Sequence, residues 1–142
     1  GKRASFTHKK YDQMAKAYNT KDLTSEHEKQ MEKEYGRVFF LEHFPTHTSP
    51  FWNMRKQGKH AHKIDVIIAG METIGSAERS TNPKAMREQF YTISDGGYAK
   101  LLFKYFGKIR VEKELEDFLS FRFFPRFGGG IGLTRLMRAL TS

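Results

Sequence analysis

Two groups of residues in this chain are suited to chemistry. Near the C-terminus, Gly128, Gly129, Gly130 and Gly132 precede Arg135 at the expected start of a helix. Four glycines leave a backbone free of Cβ atoms, so its N–H groups can approach an anion closely, and Arg135 can reach a phosphate held at the helix start. The same residues also fit a glycine-rich turn before an amphipathic core helix with a surface arginine, because glycine-rich patterns alone are weak signals. The second group is Asp65 and Glu72, carboxylates in apolar, strand-like surroundings where a charge is costly without a partner. A pair of carboxylates with phosphate oxygens is a common way to hold Mg2+. An outward-facing Asp65 on a half-exposed strand, with Glu72 in a turn, also accounts for the pair.

These residues need a folded frame. A length of 142 residues suits a single domain spanning 1–142, with 38% hydrophobic and 29% charged residues. No apolar run approaches the roughly 20 residues that cross a bilayer, and no secretory leader is visible. With no cysteine there is no disulfide framework. We therefore expect a cytoplasmic protein without a membrane partner. The net charge of +9 points to a polyanion. Arg55, Lys56, Lys59, His60, His62 and Lys63, around Gly58, read as an exposed loop that either tracks a phosphate backbone or is simply solvated. The six histidines show no zinc-binding pattern.

Periodicity predicts helices over Ser5 to Tyr18, capped by Ser5 or Thr7, and over Glu26 to Tyr35, where Ser25 and Glu28 form a capping box. Strands are predicted at Val38–Leu41, Phe51–Met54, Ile64–Ala69 and Glu72–Arg79. Helices follow at Pro83–Tyr91, Asp95–Phe106 and Val111–Phe121, with Pro125 leading into the glycines. Tyr98, Leu101, Leu102 and Tyr105 form one expected apolar face, and Leu133, Leu136, Met137 and Leu140 another. Consecutive strands with short connections imply an α+β fold, an antiparallel β-sheet flanked by helices. Most of the 13 phenylalanines are expected in the core.

The stretch Gly128-Gly129-Gly130-Ile131-Gly132-Leu133-Thr134-Arg135-Leu136 resembles the third signature motif of the class II aminoacyl-tRNA synthetases, in particular their aspartyl and asparaginyl branch. The segment from Ile64 to Arg79 resembles the stretch preceding that motif. The resemblance implies that Arg135, with Gly129, Gly130 and Gly132, binds ATP, and that Asp65 and Glu72 lie near its phosphates and Mg2+. It also implies that Arg79 reads the side chain of the amino acid, with Ser76 and Glu78 shaping the pocket. Glu78 replaces a common glutamine, and an acid beside Arg79 would favour an amide substrate over a carboxylate. Phe44-Pro45, then Pro50-Phe51-Trp52-Asn53-Met54, is a weaker match, with Ser49 where a basic residue is common. Pro125-Arg126-Phe127-Gly128 replaces the family's proline-histidine-alanine-glycine.

The expected activity is ATP-dependent activation of asparagine or aspartate and transfer to tRNA. Thr134, where the family usually has an acid, also fits the related ammonia-using asparagine synthetase. The family's first and second motifs are not found, so the chain resembles the C-terminal half of a catalytic domain. The missing half and a second copy in a homodimer are then expected partners. A non-catalytic paralogue that binds nucleic acid or protein is the remaining alternative.

Overall fold

The computed structural model describes residues 6–48 and 50–141. Ser5, a candidate helix cap, and Ser49 lie outside the described residues. The elements run β1 Thr7–Lys10, α1 Tyr11–Ala17, α2 Ser25–Tyr35, β2 Val38–Pro45, β3 Lys56–Gln57, β4 His60–Ile68 and β5 Met71–Arg79. They continue with α3 Pro83–Thr92, α4 Gly97–Phe106, α5 Lys108–Leu119, β6 Arg126–Ile131 and α6 Leu133–Thr141. The strands form one sheet of order β1-β2-β4-β5-β6, with β3 paired to β4. All pairings are antiparallel except β1 against β2, which is parallel. The α+β expectation holds, with a mixed sheet in place of a purely antiparallel one.

Two larger cores, and a small one of Met54, Ala61 and Ala77, stabilise this arrangement. Tyr11, Met14 and Ala15 of α1 and Met31 of α2 pack on Phe39, Leu41, Phe44 and Ile67 of the sheet. Met31 is fully buried although its helix is otherwise charged. Met86, Phe90, Ala99, Val111, Leu115 and Leu119 join α3, α4 and α5 into a helical unit. Trp52 ties that unit to the sheet, its ring lying edge-on to Phe90 and Phe118 at 5.5 Å each.

Several local expectations are corrected. Thr7–Lys10 is a strand, because hydrogen bonding to β2 competes there with a helical turn that has no apolar face to bury. Phe51–Met54 is a turn with one isolated bridge, Met54 to Arg79, placed by proline rather than by alternation. The basic loop is a hairpin, Lys56–Gln57 paired with His60–Ala61, and Gly58 supplies the positive φ of its turn. In α4 the buried residue is Ala99, whereas Leu101 and Tyr105 are exposed. Gly128, Gly129 and Gly130 lie in strand β6 rather than in a turn. On α6, Leu133, Met137 and Leu140 point to solvent and Ala139 is buried, because the helix follows an edge strand.

Candidate active site

The register across the sheet builds the floor of a cleft. Leu41 pairs with Asp65, Asp65 with Gly75, and Gly75 with Gly130, so one row carries Asp65 beside two residues without side chains. A Cβ on Gly75 would lie 2.9 Å from Glu72 Oε1 and 3.4 Å from Asp65 Oδ1. The two carboxylates therefore converge on space that glycine leaves open.

Glu72 reaches this face through a β-bulge. Val66 pairs with Ile74 but Ile67 pairs with Glu72, leaving Thr73 as the extra residue. Alternation along β5 places Gly75, Ala77 and Arg79 on one face, and strict alternation would turn Glu72 to the other. The added residue reverses the parity and brings Glu72 level with Asp65 and Arg79.

Around this floor lies a cleft of about 400 Å3 lined by Glu28, Lys63, Asp65, Glu72, Phe51 and Met54, among others. It continues past Phe51, Met54, Lys63 and Glu72 to Gly75, Arg79, Gly129 and Gly130. A further hollow joins Glu28, Glu72 and Arg135. Asp65, Glu72, Arg79, Arg135, Gly129 and Gly130 are thus gathered along connected cavities, with Glu72 bordering all three.

Arg135 does not point from the helix start into open space. Its Nη1 donates to the Glu72 carbonyl at 2.7 Å and lies 3.7 Å from Glu72 Oε2. Gly132 opens α6, its N–H donating to the Thr73 carbonyl at 2.8 Å. Arg79 is half-buried and has no acidic partner among the described residues; its Nη1 reaches only Asn53 Oδ1, at 3.4 Å. Burial, with Arg126 nearby, lowers its pKa. A Cβ at Gly128 would lie 2.7 Å from Arg79 Nε, so glycine there makes room for the guanidinium.

Ser76 and Glu78 fall on the opposite face of β5. Ser76 Oγ donates to the Ile64 carbonyl at 3.1 Å. Glu78 is held by Arg55 at 2.5 Å and His62 at 2.8 Å, and these hydrogen bonds lower its pKa. Ser76 nevertheless borders the same cavity as Arg79, Gly129 and Gly130, whereas Glu78 lies outside the three connected cavities and meets Arg79 only along a neighbouring pocket with Arg55 and Lys56.

Lys63 and Glu28 belong to the cleft, although the sequence marks them only as part of a basic loop and of a helix cap. Lys63 Nζ pairs with Asp65 Oδ2. Glu28 Oε2 accepts the backbone N–H of Glu72 at 3.0 Å. Glu28 is free to do so because Thr24, not Ser25, precedes the first turn of α2, and His27 takes the reciprocal bond, its Nδ1 accepting from Thr24 N–H at 3.0 Å.

Asp65 is 3% exposed. Burial pushes its carboxyl up to about 6, opposed by Lys63 and reinforced by Glu72 and Glu28. Burial also raises Glu28. Asp65 Oδ1 is buried without a hydrogen-bond partner, which suits an incoming cation. Among the described residues no three His, Cys, Asp or Glu side chains are grouped to hold a metal ion. Asp65 and Glu72 together supply only part of the oxygen shell a hard cation takes, leaving other positions to water or ligand oxygens.

Residues 2–142 match the family described as tRNA synthetases class II (D, K and N), and the chain belongs to that family. It is 32% identical over 119 residues to the aspartate–tRNA(Asp) ligase of Pyrobaculum aerophilum, covering 84% of this chain and 25% of the relative. An aspartyl-tRNA synthetase from Entamoeba histolytica superposes with a TM-score of 0.69 at 19% identity, covering 94% of this chain and 28% of that one. The asparaginyl-tRNA synthetase of Pyrococcus horikoshii complexed with asparaginyl-adenylate gives 0.71 at 17% identity, covering 96% and 31%. The chain thus spans about a quarter of the length of the curated relatives it matches.

Proposed function

We propose that this chain forms part of an ATP-dependent ligase that activates asparagine or aspartate as an aminoacyl-adenylate and transfers it to tRNA. The observation that carries this reading is the gathering of Asp65, Glu72, Arg79 and Arg135 along connected cavities in a chain of the class II family. The asparaginyl-adenylate in the Pyrococcus complex supports ATP as the co-substrate.

In this reading, the amino-acid carboxylate attacks the α-phosphate of ATP and pyrophosphate leaves; a tRNA hydroxyl then attacks the carbonyl of the aminoacyl-adenylate, forming the ester as AMP leaves. Arg79 offers an uncompensated planar cation to the substrate side chain, matching a carboxylate bidentately or an amide carbonyl singly. Arg135 keeps most of its fork available to phosphate oxygens while Glu72 fixes its orientation. The glycine floor at Gly75 and Gly130 lets substrate approach the sheet backbone. Lys63 balances Asp65 until a second cation arrives. Asp65 and Glu72 would hold Mg2+, which supplies charge neutralisation at the phosphates. The chain's own work is positioning and fixed charge. A cytoplasmic setting, a homodimeric assembly and tRNA as acceptor accompany this reading.

The test is ATP–pyrophosphate exchange by the intact protein with asparagine and aspartate offered separately, followed by acylation of tRNA. Exchange that depends on one of these amino acids supports the reading; no exchange with either rejects it.

A further inference from the structure

Where β5 enters the sheet, Glu72 lies beyond the reach of β6, whose pairing ends at Ile131 opposite Ile74. The outward backbone groups of Glu72 consequently have no strand to bond. Side chains from two helices take them instead. Glu28 of α2 accepts the N–H at 3.0 Å, and Arg135 of α6 donates to the C=O at 2.7 Å. Both bonds involve a charged group, which makes them stronger than ordinary ladder bonds. The seat of α2 is itself fixed, because Gly70 (φ +67°) brings the β4–β5 turn close under that helix. A Cβ there would lie 3.0 Å from Lys29 Cα and 2.9 Å from Glu32 Oε2.

We propose that Glu28 is a positioning residue: with Arg135 it clamps the backbone of Glu72 and thereby aims the Glu72 carboxylate over Gly75 beside Asp65. The bulge at Thr73 gives the reason for a clamp. A bulge leaves a strand locally unpaired and able to shift, and here the side chain it aims is the one common to all three cavities. The role in ligand binding rests on the ligase reading, whereas the clamp itself does not.

The test compares Glu28→Ala and Glu28→Gln with the parent in the intact protein. Glutamine retains an acceptor for the Glu72 N–H, and alanine does not. Hydrogen exchange at the Glu72 amide should accelerate about tenfold or more in Glu28→Ala and stay near the parent rate in Glu28→Gln. The half-saturating concentration of ATP, at fixed Mg2+, should rise roughly tenfold in the alanine variant, with the glutamine variant substantially rescued. The KM for the amino acid should stay within about twofold. A lowered Tm with unchanged amide exchange in Glu28→Ala overturns the clamp and leaves Glu28 a packing residue. Glutamine as damaging as alanine to ATP saturation, with the amide still protected, overturns the positioning role. Absence of pyrophosphate exchange in the parent defeats the ligase reading, and amide exchange alone then decides the clamp.

Discussion

Asp65 and Gly75 face each other across β4 and β5, and the missing side chain at Gly75 is what allows Asp65 and Glu72 to share one space. Gly75→Ala should leave the fold intact, because the nearest atom is the movable end of Glu72, 2.9 Å away. It should nonetheless raise the half-saturating ATP concentration about tenfold by turning that carboxylate aside. Two neighbours serve as controls. Nothing lies within 4 Å of a Cβ at Gly130, so Gly130→Ala should change stability by less than about 0.5 kcal/mol while narrowing the cleft. A Cβ at Gly129 meets the Gly75 carbonyl at 2.8 Å, so Gly129→Ala should cost about 1–3 kcal/mol in urea unfolding.

Arg79 has no acidic partner among the described residues, whereas Glu78, next in the chain, is paired twice on the other face of the sheet. Arg79→Ala should raise the KM for the amino acid roughly 100-fold or more, and Arg79→Lys should recover little of it, because lysine lacks the bidentate fork. Unfolding stability should not fall with it, since an unpaired, partly buried cation is being removed. Glu78→Gln should shift the ratio of asparagine to aspartate activation by less than about threefold. A large swing in that ratio would contradict the placement of Glu78 away from the cleft.

The helices and strands β2, β4 and β5 were legible from apolar runs and turn residues, and Asp65, Glu72, Arg79 and Arg135 from segments that resemble the family, whereas β1, β3 and β6 depend on partners distant in sequence. What is not written in one dimension is parity. Glu72 and Arg79 are seven residues apart, which on a regular strand sends them to opposite faces; only the bulge unites them, and a bulge depends on partner strands. For the same reason the side chains of Ser76 and Glu78, near Arg79 in sequence, take the other face of β5, bonding to the Ile64 carbonyl and to Arg55 and His62. Gly128 to Gly130 read as a turn because glycine tolerates turns, yet their absent side chains clear space for Arg79, Ser76 and the cleft on a strand. Glu28 reads as part of a helix cap because local spacing cannot reveal a bond spanning 44 residues.

Burial holds the Asp65 carboxyl at about 6, above the usual carboxylate range. Between that range and pH 6 the folded protein keeps a proton that the unfolded chain has released. Its contribution to stability is therefore fully present at low pH and is lost as pH rises through 6. The loss is bounded at about 3 kcal/mol for a displacement of about two pH units. In urea unfolding between pH 4 and 8, the parent should lose stability relative to Asp65→Asn as pH rises, because asparagine does not titrate. A pH-independent difference would show that Asp65 titrates normally.

Arg135 separates catalysis from stability most sharply. Its side chain is more than half exposed, and its ion-pair contact with Glu72 is long, at 3.7 Å. Removing it forfeits that exposed ion pair and the bond to the Glu72 carbonyl, and should cost about 1–3 kcal/mol of folding free energy. In the ligase reading, however, the same guanidinium meets the charge of ATP phosphates in a cleft whose other anions repel them. Arg135→Ala should therefore slow ATP-dependent exchange by about 100- to 1000-fold, as loss of one preorganised donor does elsewhere. Arg135→Lys keeps the charge but loses the fork that spans phosphate and the Glu72 carbonyl, so an intermediate rate is expected. Thermal melts alongside the exchange assay check the point. A large drop in Tm with proportionate loss of activity would make Arg135 a structural strut, and near-parent exchange by Arg135→Ala would remove it from the reaction.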